Sequence, residues 1–431
     1  MQDPRRRTPR TDAVLADPAV VTASQGLDRD VAKAVVAATL DACRRGEVAP
    51  EDVVAAVVAA LPILPTTLRA VVNATGVVVH TNLGRAPLSP TAVEAVRRAA
   101  GPTDVELDLA TGRRGRRGAA ALAALAARVP DAGGAHVVNN GAAALALAAS
   151  VLARGRRIVV ARGELVEIGD GFRIPELLES VGAELREVGT TNRVRLADYE
   201  RAVDHSVAFV LKVHPSNFRV QGFTSSVSVT ALTQLGRPVV ADIGSGLLQP
   251  HPRLPDEPDA TTALRAGASL VTASGDKLLG GPQCGLLLGE ATLVERLRRD
   301  PLARALRVDK LTLAALEATL VGPPPPVHQA LATDPATLLE RARAIADEIG
   351  PPALAVPSTG RIGGGGAPGV DLPSAAVALP EQLASPLRAS ERPVVGRIHD
   401  GRLLLDLLAV PPEQDGELAA AVRAHLDAPE G

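Results

Sequence analysis

A lysine that could act as a nucleophile lies in the segment Val-Thr-Ala-Ser-Gly-Asp-Lys-Leu-Leu-Gly-Gly-Pro-Gln, residues 271–283. An apolar run ends there in a polar, glycine-flanked turn that carries Ser274, Asp276 and Lys277. A lysine at the end of a buried strand is desolvated, which lowers its pKa and lets its amine form a Schiff base with a carbonyl. The Ser274 hydroxyl, three residues earlier, could bind a phosphate. An exposed turn with a solvated lysine is the ordinary alternative for so short a motif.

An aspartate follows a second apolar run, Pro-Val-Val-Ala-Asp-Ile-Gly-Ser-Gly at residues 238–246. A carboxylate in this position can keep a pyridine nitrogen protonated, which makes the ring an electron sink. Asp242 precedes Lys277 by 35 residues, about one strand–helix–strand unit, so the two side chains could face one cofactor. A helix cap or a metal ligand is the alternative.

A third motif, Val-Val-Asn-Asn-Gly-Ala-Ala-Ala at residues 137–144, predicts a strand that turns into a helix through small residues. Free backbone N–H groups at a helix start bind phosphate well, although tight strand–helix packing would select the same residues. The three motifs occur in this order at the ends of predicted strands, where α/β sheets bind ligands. Together they predict an enzyme that carries pyridoxal phosphate (PLP) on Lys277.

The elements that must position these motifs are short apolar runs alternating with Ala- and Leu-rich segments of helical period. This alternation predicts an α/β fold with a mostly parallel sheet, buried on both faces. The candidate strands are His136–Asn139, Arg157–Ala161, Glu184–Val188, Val207–Val213, Pro238–Ile243, Leu270–Ser274 and Cys284–Leu288.

Composition shifts divide the chain into three predicted parts. Residues 1–66 form a small helical domain, in which Asp28 caps a helix that buries Val31, Val35 and Ala38 and ends at Gly46. Residues 67–325 form the large domain that holds the motifs, and a Gly-Pro-rich linker ends it. Residues 326–431 form a smaller α+β domain with a hairpin that turns at Asp400-Gly401. The glycine run 363–366 in this domain is interpreted as a flexible or tight turn rather than a phosphate cradle.

Composition also limits the classes of function. The net charge of −2 gives no general case for a nucleic-acid or membrane partner, and aromatic residues at 1% argue against a base-stacking RNA platform. The only two cysteines, Cys43 and Cys284, give neither a disulfide framework nor zinc-ligand spacing, which suits a reducing cytoplasm. We expect no membrane span and no signal peptide, because long apolar runs are missing from the sequence.

Longer strings resemble one family closely, bacterial selenocysteine synthase (L-seryl-tRNA(Sec) selenium transferase). The resemblance covers nearly the whole chain, and is weakest in the first 66 residues. The strings are NATGVVVHTNLGRAPLS (73–89), ELDLATGRRGRRG (106–118), VVNNGAAA (137–144), RGELVEIGDGFRIPE (162–176), EVGTTNR (187–193), ADIGSGL (241–247), SGDKLLGGPQCG (274–285), PLARALRVDKLTLAALEATL (301–320) and GRIHDGRLLLDL (396–407).

This resemblance implies the type I fold of PLP enzymes and a role for each matching residue. Lys277 would carry PLP, Asp242 would pair with its ring nitrogen, and Asp276 would be a catalytic acid. The remaining roles are cofactor contacts at Ser274, Asn139, Asn140, Gly141, Ala142, Asn217 and Ser245, and selenophosphate binding at Arg85, Arg304 and Arg307.

The resemblance also implies a reaction and partners. The enzyme would convert seryl-tRNA(Sec) to selenocysteinyl-tRNA(Sec) through a PLP-bound aminoacrylyl-tRNA, with selenophosphate as the donor. The helical N-terminal domain would bind the tRNA. The subunits would form a large ring, a decamer in the family, with active sites between subunits.

Two alternatives stay open at this level. One is a related PLP lyase that acts on a free amino acid or an amino-sugar acid, which would have no use for a helical tRNA-reading extension. The other is a tRNA-binding scaffold on a catalytically dead fold, against which the intact Lys277, Asp242 and arginines argue.

Overall fold

The computed structural model describes residues 7–62 and 65–426. The chain divides into two compact units, one that extends to Ala70 and one that begins at Val71. None of the described helices is both long and apolar enough to cross a lipid bilayer.

The first unit is a small helical bundle. Its helices are α1 (Thr11–Leu15), α2 (Pro18–Ala23), α3 (Arg29–Arg45) and α4 (Val53–Ala60). As predicted, Asp28 caps α3 by accepting the Asp30 N–H at 2.8 Å, and Gly46 ends it in the left-handed conformation.

The predicted buried face of α3 was wrong by one position. Val31 is 39% exposed, and the buried face instead carries Ala32, Val36, Leu40 and Cys43. Both sets of residues fit a helical period. The observed set includes Leu40, whose larger apolar surface gains more from burial than an alanine would.

The second unit is built around a seven-stranded sheet. Its strands in chain order are β3 (Gly134–Val138), β4 (Arg157–Ala161), β7 (Glu184–Val188), β8 (Val207–Val213), β9 (Val239–Gly244), β10 (Leu270–Ser274) and β11 (Gly285–Gly289). In space they lie in the order β3-β11-β10-β9-β8-β4-β7. Strand β11 runs antiparallel to its neighbours β10 and β3, and the other pairs are parallel. All seven predicted strands are therefore present, four with the predicted bounds and three shifted by one or two residues.

Helices pack around this sheet and are connected to it by short turns. They are α5 (Pro90–Ala99), α6 (Ala119–Arg128), α7 (Gly141–Ala153), α8 (Ile174–Ser180), α9 (Leu196–Glu200), α10 (Val229–Thr233), α11 (Ala260–Arg265), α12 (Ala291–Arg299), α13 (Pro301–Ala305) and α14 (Lys310–Val321). A two-stranded ribbon, β5 (Glu167–Ile168) with β6 (Phe172–Arg173), precedes α8. Leu, Val and Ala side chains from both faces of the sheet form the core.

A second sheet of five strands lies in the C-terminal part, in the order β15-β16-β13-β12-β2. The predicted hairpin is present: His399 pairs with Arg402, and Asp400 and Gly401 both have positive φ. The elements of this part are β12 (Leu354–Gly363), β13 (Asp371–Pro380), β14 (Val394–Val395), β15 (Arg397–His399), β16 (Arg402–Asp406), α15 (Pro326–Ala332), α16 (Pro335–Ile349), α17 (Ala384–Ala389) and α18 (Asp415–Leu426).

The segment that opens the second unit belongs to the C-terminal sheets. Strand β1 (Val72–Asn73) pairs with β14, and β2 (Val77–Val79) pairs in parallel with β12. Residues from both ends of the second unit thus pack into one hydrophobic core. The segment after β2 leaves this core toward the seven-stranded sheet.

Candidate active site

Lys277 lies in the turn that follows β10. The turn is fixed by main-chain bonds, in which Gly275 N–H donates to Cys284 O at 2.8 Å and Leu278 N–H donates to Ser245 O at 2.8 Å. Burial lowers the pKa of the Lys277 amine, and the carboxylates of Asp242, Asp276 and Glu257 oppose that shift. The amine is therefore easier to deprotonate than an exposed lysine, which suits a nucleophile or a base.

Asp242 lies on the neighbouring strand β9, directly beside Thr272 of β10. The Thr272 hydroxyl donates to its Oδ1 at 2.8 Å. Burial raises the pKa of Asp242, whereas the Thr272 hydrogen bond and the Lys277 charge lower it. The charges of Asp242 and Lys277 each shift the pKa of the other group toward its ionised form.

The start of α7 forms an anion cradle next to Ser274. Asn140 caps the helix by accepting the Ala143 N–H at 2.8 Å, which leaves the N–H groups of Gly141 and Ala142 without helical partners. A Cβ on Gly141 would collide with Ser274 Oγ unless that hydroxyl rotated away, so the helix start and the hydroxyl approach each other closely. The buried hydroxyl and the helix N-terminus therefore face one space, as a phosphate group needs.

The hydroxyl group of Ser245 is fully buried beside the Lys277 turn. Its residue is 0% exposed, and its Oγ finds no hydrogen-bond partner among the described residues. A buried hydroxyl without a partner costs free energy, which a bound ligand can restore. This observation fits a polar cofactor.

Two other predicted cofactor contacts have different partners. The Asn139 amide, oriented so that its hydrogen bonds are satisfied, donates to the main-chain oxygens of Leu306 and Arg307 at 2.9 and 3.0 Å. The Asn217 amide donates to Glu167 O at 2.9 Å. In this chain, both side chains hold loops in place.

Arg85 and Asp276 form an ion pair beside Lys277. Arg85 Nη1 lies 2.6 Å from Asp276 Oδ2, and Asp276 is 6% exposed. Arg85 has φ of 66°, a conformation that non-glycine residues seldom adopt, and its N–H donates to His80 O at 2.9 Å. The strained turn places the guanidinium group at the carboxylate that adjoins the lysine.

Arg304 and Arg307 lie elsewhere in the chain, in a cavity of about 750 Å³. Arg307 approaches Glu106 Oε1 at 3.5 Å, and Arg114 and Arg117 approach the same carboxylate at 2.8 and 3.3 Å. Arg85 is not part of this wall, so the three predicted donor-binding arginines divide between two places. The charged wall residues are seven arginines and three acids, Arg114, Arg116, Arg117, Arg298, Arg299, Arg304, Arg307, Glu106, Glu295 and Asp300.

Sequence reasoning did not predict that the glycine run 363–366 lies at the lysine. The run forms a turn, as its composition predicts, and a Cβ on Gly365 would lie 2.5 Å from Lys277 Nζ. Glu257 was missed as well: its Oε2 accepts the Ala367 N–H at 2.7 Å and lies 3.2 Å from His214 Nε2. Neither residue belongs to a local motif, and a buried glutamate is revealed only by its tertiary contacts.

Comparison with known proteins gives consistent matches along the chain. Residues 71–411 match the family model "L-seryl-tRNA selenium transferase", and residues 5–44 match "Selenocysteine synthase N terminal". The L-seryl-tRNA(Sec) selenium transferase of Solidesulfovibrio magneticus is 44% identical over 391 residues, which cover 84% of this chain and 83% of that protein. The protein of the same name from Hyphomonas neptunium is 39% identical and covers 97% of both chains.

One solved structure shows the fold independently. The structure of D-glucosaminate-6-phosphate ammonia-lyase matches with a TM-score of 0.59 at 18% identity, and covers 83% of this chain and 95% of that chain. At this identity the match supports the architecture alone. It confirms the predicted α/β fold class with a mostly parallel sheet.

Proposed function

Because the chain belongs to the L-seryl-tRNA selenium transferase family, we propose that it converts L-seryl-tRNA(Sec) to L-selenocysteinyl-tRNA(Sec), with selenophosphate as the donor and PLP on Lys277. The family match confirms the resemblance found in the sequence strings. The observation that supports the proposal is the arrangement at the ends of β9 and β10, where Asp242 accepts a hydrogen bond from Thr272 and Gly141 closely approaches Ser274, three residues before Lys277.

The residues present fit PLP. Lys277 would supply the amine, Asp242 would pair with the ring nitrogen, and the α7 N-terminus with Ser274 would hold the phosphate. When bound, the cofactor supplies an electron sink that stabilises negative charge at the substrate α-carbon. Asp242 would hold a proton on the ring nitrogen, and the partnerless Ser245 hydroxyl would gain a hydrogen-bond partner.

Lys277 and Asp276 would move the protons of the reaction. Lys277 Nζ, its pKa lowered by burial, would take the α-proton of the seryl group. Asp276 would give a proton to the departing serine hydroxyl, which leaves as water. The selenium of the donor would then form a bond to the β-carbon, its bond to phosphorus would be hydrolysed with release of phosphate, and Lys277 would return its proton to the α-carbon.

The arginines would bind the donor. A guanidinium group offers several N–H donors in a fixed plane and pairs well with phosphate-type oxygens. Arg85 lies at the lysine, whereas Arg304 and Arg307 face the separate cavity. We propose that the latter two complete the site of a neighbouring copy in a homo-oligomeric ring, which would bring all three arginines to one donor.

The first unit would bind the tRNA. Its residues 5–44 match the N-terminal model of the family, and it forms a compact helical bundle of its own. A related lyase for free amino acids would have no use for this unit. The reaction would take place in the cytoplasm, where aminoacylated tRNA is available. A chain that starts at Val71 should lose affinity for tRNA(Sec) yet still bind PLP, and unchanged tRNA binding would contradict this assignment.

The deciding experiment is incubation with seryl-tRNA(Sec) and selenophosphate, followed by identification of the esterified amino acid. Selenocysteine is the expected product. The wild-type protein should be yellow and should give a borohydride-reducible adduct, which Lys277→Ala lacks. A colourless wild-type protein, or serine recovered unchanged from a yellow one, would refute the proposed activity.

A further inference from the structure

Glu257 is a buried carboxylate that belongs to no motif of the sequence. Its side chain is 2% exposed. Oε2 accepts the Ala367 N–H at 2.7 Å and lies 3.2 Å from His214 Nε2, while Oε1 is buried without a partner among the described residues. Burial of a carboxylate costs desolvation free energy, and its hydrogen bonds must offset that cost. We therefore expect the hydrogen bonds of Glu257 to have a structural role.

The two partners of Glu257 come from distant parts of the second unit. His214 follows β8, and its main-chain N–H donates to Asp242 O at 2.9 Å. Ala367 ends a segment that we call the glycine loop, residues 363–367, which continues from β12. Glu257 therefore connects the strand ends around Asp242 with a loop of the C-terminal part.

The glycine loop lies against Lys277. A Cβ on Gly365 would come within 2.5 Å of Nζ, 2.7 Å of Cε and 3.0 Å of Cδ of the lysine. Gly365 has φ of +84°, so a side chain there would be strained even without the lysine. The loop thus forms one wall of the space in which the amine lies.

We propose that Glu257 is a positioning residue: it anchors the glycine loop against Lys277, and the anchored loop sets where the lysine amine can move. The inference deepens the proposed function, because it concerns the amine to which we assign the chemistry. It does not depend on the identity of the tRNA or of the selenium donor.

The mechanism gives this wall a purpose. In the proposed function, Lys277 Nζ would move toward and away from the substrate α-carbon as it takes and returns a proton. A loop without side chains leaves room for this movement, and an anchored loop restricts it to one direction. Loss of the anchor would misplace the base, and a misplacement of about 1 Å can cost about 100-fold in rate.

The test compares Glu257→Ala and Glu257→Gln in the full-length protein with PLP. Glutamine can keep one oxygen as acceptor for both partners, whereas alanine removes both hydrogen bonds. We expect Glu257→Ala to increase amide hydrogen exchange in residues 363–367 by roughly 10- to 100-fold, while β8 stays unchanged. It should lower kcat with little change in KM for seryl-tRNA(Sec), and Glu257→Gln should restore loop protection and most of kcat.

Asp256→Ala is the matched control, because this neighbouring carboxylate is 86% exposed. It should leave both loop exchange and kcat at wild-type values. Unchanged loop exchange in a folded Glu257→Ala would overturn the inference. So would an increase of exchange in Glu257→Gln as large as that in Glu257→Ala.

Gly365→Ala keeps the inference testable if Glu257→Ala does not fold. The added Cβ would displace either the loop or the lysine, so absorbance should show slower attachment of PLP to the apoprotein. Wild-type attachment kinetics in Gly365→Ala would count against the loop as a wall. A wild-type protein that never binds PLP would instead refute the proposed function, so the two failures are distinguishable.

Discussion

The Lys277 site differs from the arginine cavity, by which we mean the space lined by Arg304 and Arg307. The difference lies in how the charged and polar side chains of each region are paired. At Lys277, buried groups are fixed by short hydrogen bonds, such as those of Thr272 and Arg85. In the arginine cavity, seven arginines share three carboxylates, and Glu106 alone contacts three guanidinium groups. The groups around Lys277 are thus paired with one another, whereas the cavity has an excess of positive charge that an anionic ligand or a neighbouring copy can balance.

The substitution with the largest expected effect on activity is at Asp242, in the Lys277 site. Asp242→Asn keeps the shape of the buried site but removes the charge that would protonate the ring nitrogen. We expect kcat to fall by about 1,000-fold, the upper range for loss of one preorganised electrostatic group. PLP should still bind, as judged by visible absorbance. Activity above a tenth of the wild-type value would show that another group protonates the ring.

A smaller but more specific effect is expected at the arginine cavity. Arg304→Ala with Arg307→Ala should reduce kcat/KM for selenophosphate by about 100-fold while PLP binding is unchanged. If these arginines serve a neighbouring copy, co-assembly of equal amounts of this variant and Lys277→Ala should restore about a quarter of wild-type activity, because about half of all neighbouring pairs are mixed and each mixed pair has one intact site of its two.

The co-assembly needs a control in which no site can be restored. Subunits that carry the arginine changes and Lys277→Ala on the same chain should give no activity when mixed with either single-defect variant beyond its own background. Failure of the two single-defect chains to complement each other would place the arginines in their own chain's site.

His136 offers a pH-dependent difference between the two regions. Burial, with Arg116 and Arg298 nearby, lowers the pKa of His136 to about 4. The unfolded chain binds this proton near pH 6.5 and the folded chain only near pH 4, so the free energy of unfolding rises with pH between these values, by up to about 3 kcal/mol. His136→Gln should flatten this slope in urea titrations, while the exposed His205 changed to Gln should leave it unaltered. An unchanged slope in His136→Gln would show that the imidazole titrates normally.

The smallest effect is expected on PLP binding at the anion cradle, formed by the start of α7 and Ser274. Ser274→Ala removes one hydroxyl donor and should weaken PLP binding by about tenfold, measured by absorbance titration. Gly141→Ala should weaken it further by steric conflict with Ser274 Oγ, and that extra loss should shrink in the Ser274→Ala background. The exposed Ser180 changed to Ala is the control. If the losses of PLP affinity in Ser274→Ala and Gly141→Ala are additive, the added Cβ at position 141 does not contact Ser274 Oγ.

The sequence was sufficient for the sheet, because each strand is a short apolar run between polar or glycine-rich turns. It also located Lys277, Asp242, Ser274 and the α7 start, since these lie in local motifs at strand ends. It could not show that β2 pairs with β12, nor that Glu257 contacts Ala367, because these contacts join residues far apart in sequence. The register of α3 was misjudged since two apolar stripes on one helix satisfy the same period.

The pairing of β2 with β12 also concerns the order in which the protein can mature on the ribosome. Residues 77–79 are synthesised early, yet their hydrogen-bonding partner, residues 361–363, emerges almost 300 residues later. Strand β2 therefore lacks its partner until the chain is nearly finished, although the large sheet between them can already form. A chain released before residue 361 would also lack the glycine loop that lies against Lys277.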